Sequence, residues 1–295
     1  MIIRKLNLIN FRNYKKITIT LDKKINIFIG DNAQGKTNIL ESIYFLALTK
    51  SYRTTDLNLI NKKYENAKVK GEIKNNNIFK SLTIELNQEK KKVKVNNNEI
   101  KKISEYITNL NVILMSPEDI NILQGTPAER RNFLNIELSQ LSKNYIKKYN
   151  EFNKILKIRN NYLKMLYKSS NTDYRYLDSV TENLIEREID IYQERKKFID
   201  FINNRIDKIY ENITGIKNFK VIYETNVDLE DFSKEKIRKN LINKYKNSLK
   251  KEIENGMTIY GPHRDDLQFL IDNDDIKIYG SQGQQKISII ALKLS

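Results

Sequence analysis

Two short stretches of this chain carry residue types whose order could do chemistry on a phosphate. The first is Gly30, Asp31, Asn32, Ala33, Gln34, Gly35, Lys36 and Thr37, which fits the spacing G-x4-G-K-[ST]. Glycines at both ends let the backbone curl so that successive N–H groups face one anion. Lys36 would meet the β- and γ-phosphates of a nucleotide, and Thr37 offers a hydroxyl to Mg2+. The flanks agree. Residues 25–29 are almost wholly apolar, as a strand buried on both faces would be, and residues 37–48 read as a helix whose positive end faces the loop. The alternative is a glycine turn that matches by chance. Residues 61–64, Asn-Lys-Lys-Tyr, lack the aspartate of a guanine-reading N-K-x-D stretch, so ATP with Mg2+ is the expected nucleotide.

The second stretch runs from Tyr279 to Lys286 and contains Ser281, Gly283 and Gln284 just before an apolar helix over residues 287–294. A hydroxyl, free backbone N–H groups and a positive helix end repeat the physics of the loop. An ordinary capped helix start has the same residues.

These stretches need elements to hold them. Residues 2–8 and 16–20 alternate as half-buried strands do, and residues 81–86 and 92–95 read as strands around the basic turn QEKKK, with VNNNE after them as a hairpin tip. Residues 111–114 read as one more short buried strand. From Pro127 the texture is helical. Tyr145, Tyr149, Phe152, Leu156, Leu163 and Leu166 form one stripe, and Ile185, Ile189, Tyr192, Ile199, Ile202, Ile206 and Ile209 another. The polar break at residues 169–173 between them predicts an antiparallel helical pair. Strand signals return at residues 219–223, 257–260, 267–271 and 276–279, so the chain is expected to rejoin the first sheet.

Composition limits the rest. No cysteine is present, which excludes disulfides, thiolate metal sites and thiol nucleophiles and fits a reducing cytoplasm. No apolar run reaches the roughly 18 residues of a membrane span. Lys and Arg number 53 against 37 Asp and Glu, a net charge of +16, and such a surplus attracts a polyanion such as nucleic acid. The wealth of Lys, Asn and Ile together is also what AT-rich codons produce.

Taken in order, LNLINFRNY, GDNAQGKTNILESIYFLALTKSYR, MSPEDI, GTPAERRNFL, GPHRDDL and GSQGQQKISIIALKLS resemble the RecF family of ABC-type, SMC-like ATPase heads along the whole chain. The resemblance implies an α/β fold, a P-loop ABC-type ATPase head with an inserted α-helical lobe. Its parts would be an N-terminal head segment over 1–117, the helical lobe over 118–215 and a C-terminal head segment with the signature over 216–295. It implies phosphate binding by residues 30–37. Ser281, Gly283 and Gln284 would act as the counterpart of the LSGGQ signature, capping the γ-phosphate of a partner head in an ATP-dependent homodimer. It further implies binding of single-stranded and gapped DNA or duplex junctions, work with RecR and RecO, and help in loading RecA.

Arg53 sits where related heads use an arginine for DNA, with a plain surface cation as the alternative. Arg130 and Arg131 would meet phosphate or pair with Glu129 or Glu137. Residues 115–119 take the place of the Q-loop but hold no glutamine; a capped helix start with its acids in the first turn is the default there. His263 precedes the signature and is expected in a turn with its ring bonded to a carboxylate. The chain reaches Ser295 inside the signature helix, before the strand that carries the Walker B acids in the family. No catalytic residue is therefore expected within it, and a fragment of a longer protein is the reading. An SMC-like structural head, or a small-molecule P-loop kinase lacking the signature, are the alternatives.

Overall fold

The computed structural model describes residues 1–168, 174–227, 229 and 231–295. The expected break at 169–173 lies outside the described residues. The chain divides into two compact units. The first comprises residues 1–114 with 139–143, and the second residues 115–138 with 144–295.

The first unit is built on β1 (Ile2–Phe11), β2 (Tyr14–Thr20), α1 (Lys36–Leu48), β3 (Asn66–Asn75), β4 (Ile78–Asn87), β5 (Lys91–Val95), β6 (Asn98–Glu99) and α2 (Ile103–Tyr106). Its strands form one sheet in the order β2-β1-β3-β4-β5-β6, every pair antiparallel. The register explains the alternation read in the sequence. Ile17, Leu8, Val69, Ile84 and Val93 stand side by side across five strands, and Leu8, Val69, Ile84 and Val93 are buried. On the other face Lys68 and Lys94 both pair with Glu85, at 3.0 and 2.7 Å. One apolar and one solvated face is what an antiparallel sheet permits.

Helix α1 covers the apolar face. A Cβ on Gly71 of β3 would collide with the Leu46 side chain, so glycine there admits the helix. The Tyr106 hydroxyl donates to the Leu46 carbonyl at 2.9 Å. At the helix end Lys91 donates to the Thr49 carbonyl and pairs with Asp56, both at 2.7 Å, a cation where the helix dipole is negative. The β5–β6 turn, Asn96-Asn97, has both residues at positive φ, which asparagine tolerates and a two-residue hairpin needs.

Two expected strands are absent. Residues 25–29 and 111–114 pair with no strand among the described residues, and Ile25, Ile27 and Ile29 are 77 %, 79 % and 88 % exposed. Apolar composition foretells a strand only where a neighbouring strand supplies the ladder, and these two runs find none among the described residues.

The second unit contains α3 (Asn121–Gln124), α4 (Pro127–Leu141, whose end belongs to the first unit), α5 (Lys143–Lys168), α6 (Tyr174–Thr214), β7 (Phe219–Glu224), α7 (Lys234–Asn255), β8 (Asp266–Ile271), β9 (Asp274–Asp275), α8 (Ile276–Tyr279) and α9 (Gln282–Leu294). Helices α5 and α6 run antiparallel, as Lys148 pairs with Asp190, Glu151 with Arg187, and Tyr162 packs on Tyr176. Strands β7, β8 and β9 form a separate antiparallel sheet instead of joining the first. The Asn203 side chain of α6 closes the open side of β7, donating to the Val221 carbonyl and accepting from its N–H, both at 2.8 Å.

Residues 257–260 are no strand. The Thr258 N–H goes to Asn160 at 2.7 Å and the Ile259 N–H to Glu252 at 2.9 Å, so side chains take the place of a ladder. Residues 276–279 turn into a short helix because the Asp275 carboxylate accepts from the Lys277 N–H at 2.8 Å.

Charged groups lie inside this unit. Arg159 is 1 % exposed and donates to Glu252 at 2.6 Å, Thr258 at 2.8 Å and Thr181 at 2.9 Å, under the Tyr245 ring at 4.5 Å. Glu252→Ala is expected to cost about 3–5 kcal/mol, since it strands a buried guanidinium, while the double change Arg159→Met, Glu252→Met costs much less. Urea denaturation of the three proteins measures this; equal losses would show that the pair has no special role.

Candidate nucleotide-binding site

Residues 30–37 form the phosphate-type loop the sequence predicts. Gly30 has φ 145, Ala33 φ 65 and Gly35 φ 99, the turns that point N–H groups inward. Gly35 leads directly into α1, whose first N–H groups have no helical acceptor. The Lys36 ammonium lies across the loop, donating to the carbonyls of Gly30 and Asp31, each at 2.7 Å. A nucleotide phosphate offers the same ammonium a stronger acceptor. Thr37 is exposed at the first turn of α1, where a hydroxyl can reach a cation. These donors fit a nucleotide triphosphate with its magnesium ion.

The loop is held by a neighbour that motif reading missed. The β1–β2 turn, Arg12-Asn13, brings Asn13 and Tyr14 against it. Asn13 donates to the Gln34 carbonyl at 3.3 Å and accepts from Asn38 at 2.8 Å. A Cβ on Gly35 would lie 2.6–2.8 Å from the Asn13 side chain and the Tyr14 hydroxyl, so this glycine is required by contact as well as by φ. Arg12 is bidentate to Glu41 of α1, at 2.8 and 2.7 Å. The only sequence signal was the pair itself, because an Arg-Asn hairpin lacks the usual glycine.

Ser281, Gly283 and Gln284 open α9 in the second unit. The Ser281 hydroxyl accepts from the Gln284 N–H at 3.3 Å and the Gln284 side chain accepts from the Ser281 N–H at 2.8 Å, a reciprocal cap. Ser281 and Gly283 are exposed, and a Cβ on Gly283 would meet nothing nearer than the Ser281 hydroxyl at 3.9 Å. Packing among the described residues of this unit therefore does not demand glycine at 283.

The other predicted residues fall out differently. Arg53 has a side chain 40 % exposed, 3.9 Å from Glu41 and 3.4 Å from Asn38. Arg130 is 5 % exposed and bidentate to Asp266 at 2.5 and 2.9 Å. It is a structural ion pair, with Asp266 as partner in place of Glu129 or Glu137. Glu129 instead accepts from the Thr126 N–H at 2.6 Å, capping α4. Arg131 donates to the Asp265 carbonyl at 2.7 Å, and burial lowers its pKa. In the Q-loop position Asp119 accepts from the Ser116 N–H and pairs with Lys293, both at 2.6 Å, the capped start expected there.

The turn holding His263 corrects an expectation. Its Nε2 lies 3.1 Å from the Thr258 carbonyl, not on a carboxylate. A carbonyl only accepts, so Nε2 carries the proton. Asp265 is taken by Arg195, which donates to it at 3.0 Å, and by the Tyr223 hydroxyl.

A loop of this kind, on a mixed α/β fold with a long helical pair and a capped glycine-bearing helix, defines an SMC-like, ABC-type ATPase head. The family described as RecF/RecN/SMC N terminal domain matches residues 2–295. An SMC head bound to the C-winged helix domain of ScpA shares the fold, with TM-score 0.50 at 15 % identity over 98 % of this chain and 74 % of that one. The chain belongs to the RecF family of DNA replication and repair proteins. It is 37 % identical to DNA replication and repair protein RecF of Bacillus cereus (strain G9842) and to that of Bacillus thuringiensis (strain Al Hakam), over all of this chain and 80 % of each relative. The solved recombination mediator protein RecF-ATPrS of the RecFOR pathway superposes with TM-score 0.93 at 30 % identity, over 99 % of this chain and 80 % of that one. Among the described residues no helix is long and apolar enough to cross a membrane.

Burial pushes the His263 pKa down to about 4. Between its ordinary 6.5 and that value the unfolded chain binds a proton that the folded chain refuses, so stability falls as pH drops through this window. Asp265, raised from its ordinary 3.8 to about 6 by burial, works in the opposite sense from about pH 6 downward, across most of the same window, so the His263 contribution is read as a difference. The expected outcome is a smaller acid-side loss of Tm in His263→Gln than in the parent between about pH 7 and 4.5, read by thermal melts. Parallel curves would clear His263 of the effect.

Proposed function

We propose that the chain binds ATP with Mg2+ in residues 30–37 and uses it to control binding of DNA during recombinational repair. The observation that carries this is the loop itself, two left-handed glycines and a lysine ammonium laid over carbonyls at the start of a helix. Lys36 supplies the charge for the β- and γ-phosphates, the loop N–H groups cradle them, and the Thr37 hydroxyl is a ligand for the metal. The solved relatives RecF-ATPrS and RecF-ATP support the choice of nucleotide.

In this reading the three parts 1–117, 118–215 and 216–295 act together as a head. Ser281, Gly283 and Gln284 cap the γ-phosphate held by a second copy, so that ATP joins a homodimer. An exposed α9 start, open around Gly283, leaves room for another molecule's phosphate. Arg53, partly exposed beside α1, and the surplus of +16 favour nucleic-acid phosphates. Arg131 is the weaker candidate, and Arg130 is already spent on Asp266. Single-stranded and gapped DNA, RecO and RecR partners, RecA loading and a cytoplasmic setting belong to the same proposal, and membership of the family supports them.

Lys36→Ala is expected to weaken ATP binding roughly 10- to 100-fold, the worth of charge-assisted hydrogen bonds. Calorimetric titration decides it, and unchanged affinity would remove the loop from the proposal. Ser281→Arg is expected to leave ATP binding by the monomer intact and to abolish ATP-induced dimers in light scattering. A small-molecule kinase would show no such split. DNA affinity is expected to fall by roughly 10^3 between 50 and 200 mM salt if several phosphates are contacted; a flat response would assign the positive charge to codon bias.

A further inference from the structure

We infer that Glu41 is a positioning residue for the phosphate loop, acting through Arg12 and Asn13. This rests on the reading that residues 30–37 bind ATP.

Glu41 stands on α1 one turn after the loop, with its side chain fully buried. A buried carboxylate is costly unless every lone pair is met, and this one is met from two directions. Arg12 grips both oxygens, at 2.8 and 2.7 Å, and the Ser51 hydroxyl donates at 2.5 Å. The grip matters because of where Arg12 sits. It occupies the first position of a two-residue turn, between the paired Phe11 and Tyr14, at φ 53. Glycine is the favoured residue there, and an arginine gives up backbone ease for what its side chain holds.

Held in this way, the turn presents Asn13, the next residue, to the loop. Asn13 ties the Gln34 carbonyl and the Asn38 side chain together and closes on Gly35. The route therefore runs from Glu41 to Arg12, from Arg12 to Asn13, and from Asn13 to both sides of Gly35. Among the described residues no strand pairs with residues 25–29 just before the loop. The turn and α1 are accordingly what fix the curl that aims N–H groups at phosphate. Without the carboxylate, Arg12 keeps its bonds to the Asn58 carbonyl at 3.2 Å and, through its N–H, to the Leu59 carbonyl at 2.8 Å, but the turn loses its tie to α1, and Asn13 is held to the loop by its own two bonds alone.

The test is a double-mutant cycle in this chain, read by calorimetric binding of Mg-ATP and of tripolyphosphate, which has no base or sugar. Glu41→Gln and Asn13→Ala are each expected to weaken both ligands about 10-fold. The double variant should be no more than about 2-fold weaker than the worse single one, because both act on one route. Thermal melts without ligand run alongside. A merely structural Glu41 would lower Tm and add its loss to that of Asn13→Ala.

Additive losses, or a loss for ATP with none for tripolyphosphate, would overturn the inference. Should Glu41→Gln not fold, Arg12→Lys takes its place in the cycle. Asn13 is exposed at a turn tip, so Asn13→Ala tests the last link on its own: unchanged tripolyphosphate binding overturns the route. A parent chain that binds neither ligand overturns the ATP reading itself. A parent that binds, with Glu41→Gln binding equally, overturns the role of Glu41 alone.

Discussion

A phosphate-binding loop works only if several backbone N–H groups keep aiming at one point, and in the proposed reading that constraint falls on eight residues with no ladder before them among the described residues. Among the described residues the preceding segment pairs with no strand, so the loop's shape comes from its other side. Helix α1 anchors its end, Gly35 allows the close pass beneath Asn13 and Tyr14, and the antiparallel sheet places the β1–β2 turn where it can press on the loop. Residues chosen for the apolar face, Leu8, Val69 and Ile84 among them, hold that turn in position. The core and the site are thus one mechanical arrangement.

The second unit solves a different problem. A helix as long as α6 needs more than a greasy stripe to fix its register against α5, since leucines and isoleucines slide past one another at little cost. Arg159, Glu188, Arg195, Glu252 and Asp265 are all buried, and each bonds groups on other elements. Displacing the helices by a turn would leave charges unpaired in the interior. Burial drives the Glu188 carboxyl well above the usual range, with the Tyr245 hydroxyl opposing.

Much of this was legible in the residues. The loop at 30–37, the strands at 2–8, 16–20 and 81–86, and both helical stripes follow from spacing alone, because each is decided by neighbours along the chain. The failures share one cause. Residues 25–29, 111–114, 257–260 and 276–279 are short apolar runs whose fate depends on what lies beside them in space. Asn160 and Glu252 claimed the backbone of 258–259, and Asp275 bent the next run into a helix. The site showed the same division. The loop bearing Gly30 and Lys36 was proposed from motif, but the Arg12–Glu41 grip beside it spans 29 positions and leaves no local pattern. Arg130 pairs with Asp266 at a separation of 136, which no helical spacing foretells.

The order of strands in the first sheet carries a consequence for how the chain finds its fold. Strands β3, β4, β5 and β6 are joined by short turns and form a meander of neighbours, so their pairing closes only small loops and is quick. The β1–β3 pairing is the exception, because the whole segment bearing residues 30–37 and α1 lies between its partners. That closure carries the larger entropic cost and comes after the hairpins on either side are in place. The surroundings of residues 30–37 therefore depend on the most non-local pairing of that sheet. A ligand seated beside that pairing would favour the state in which it is closed.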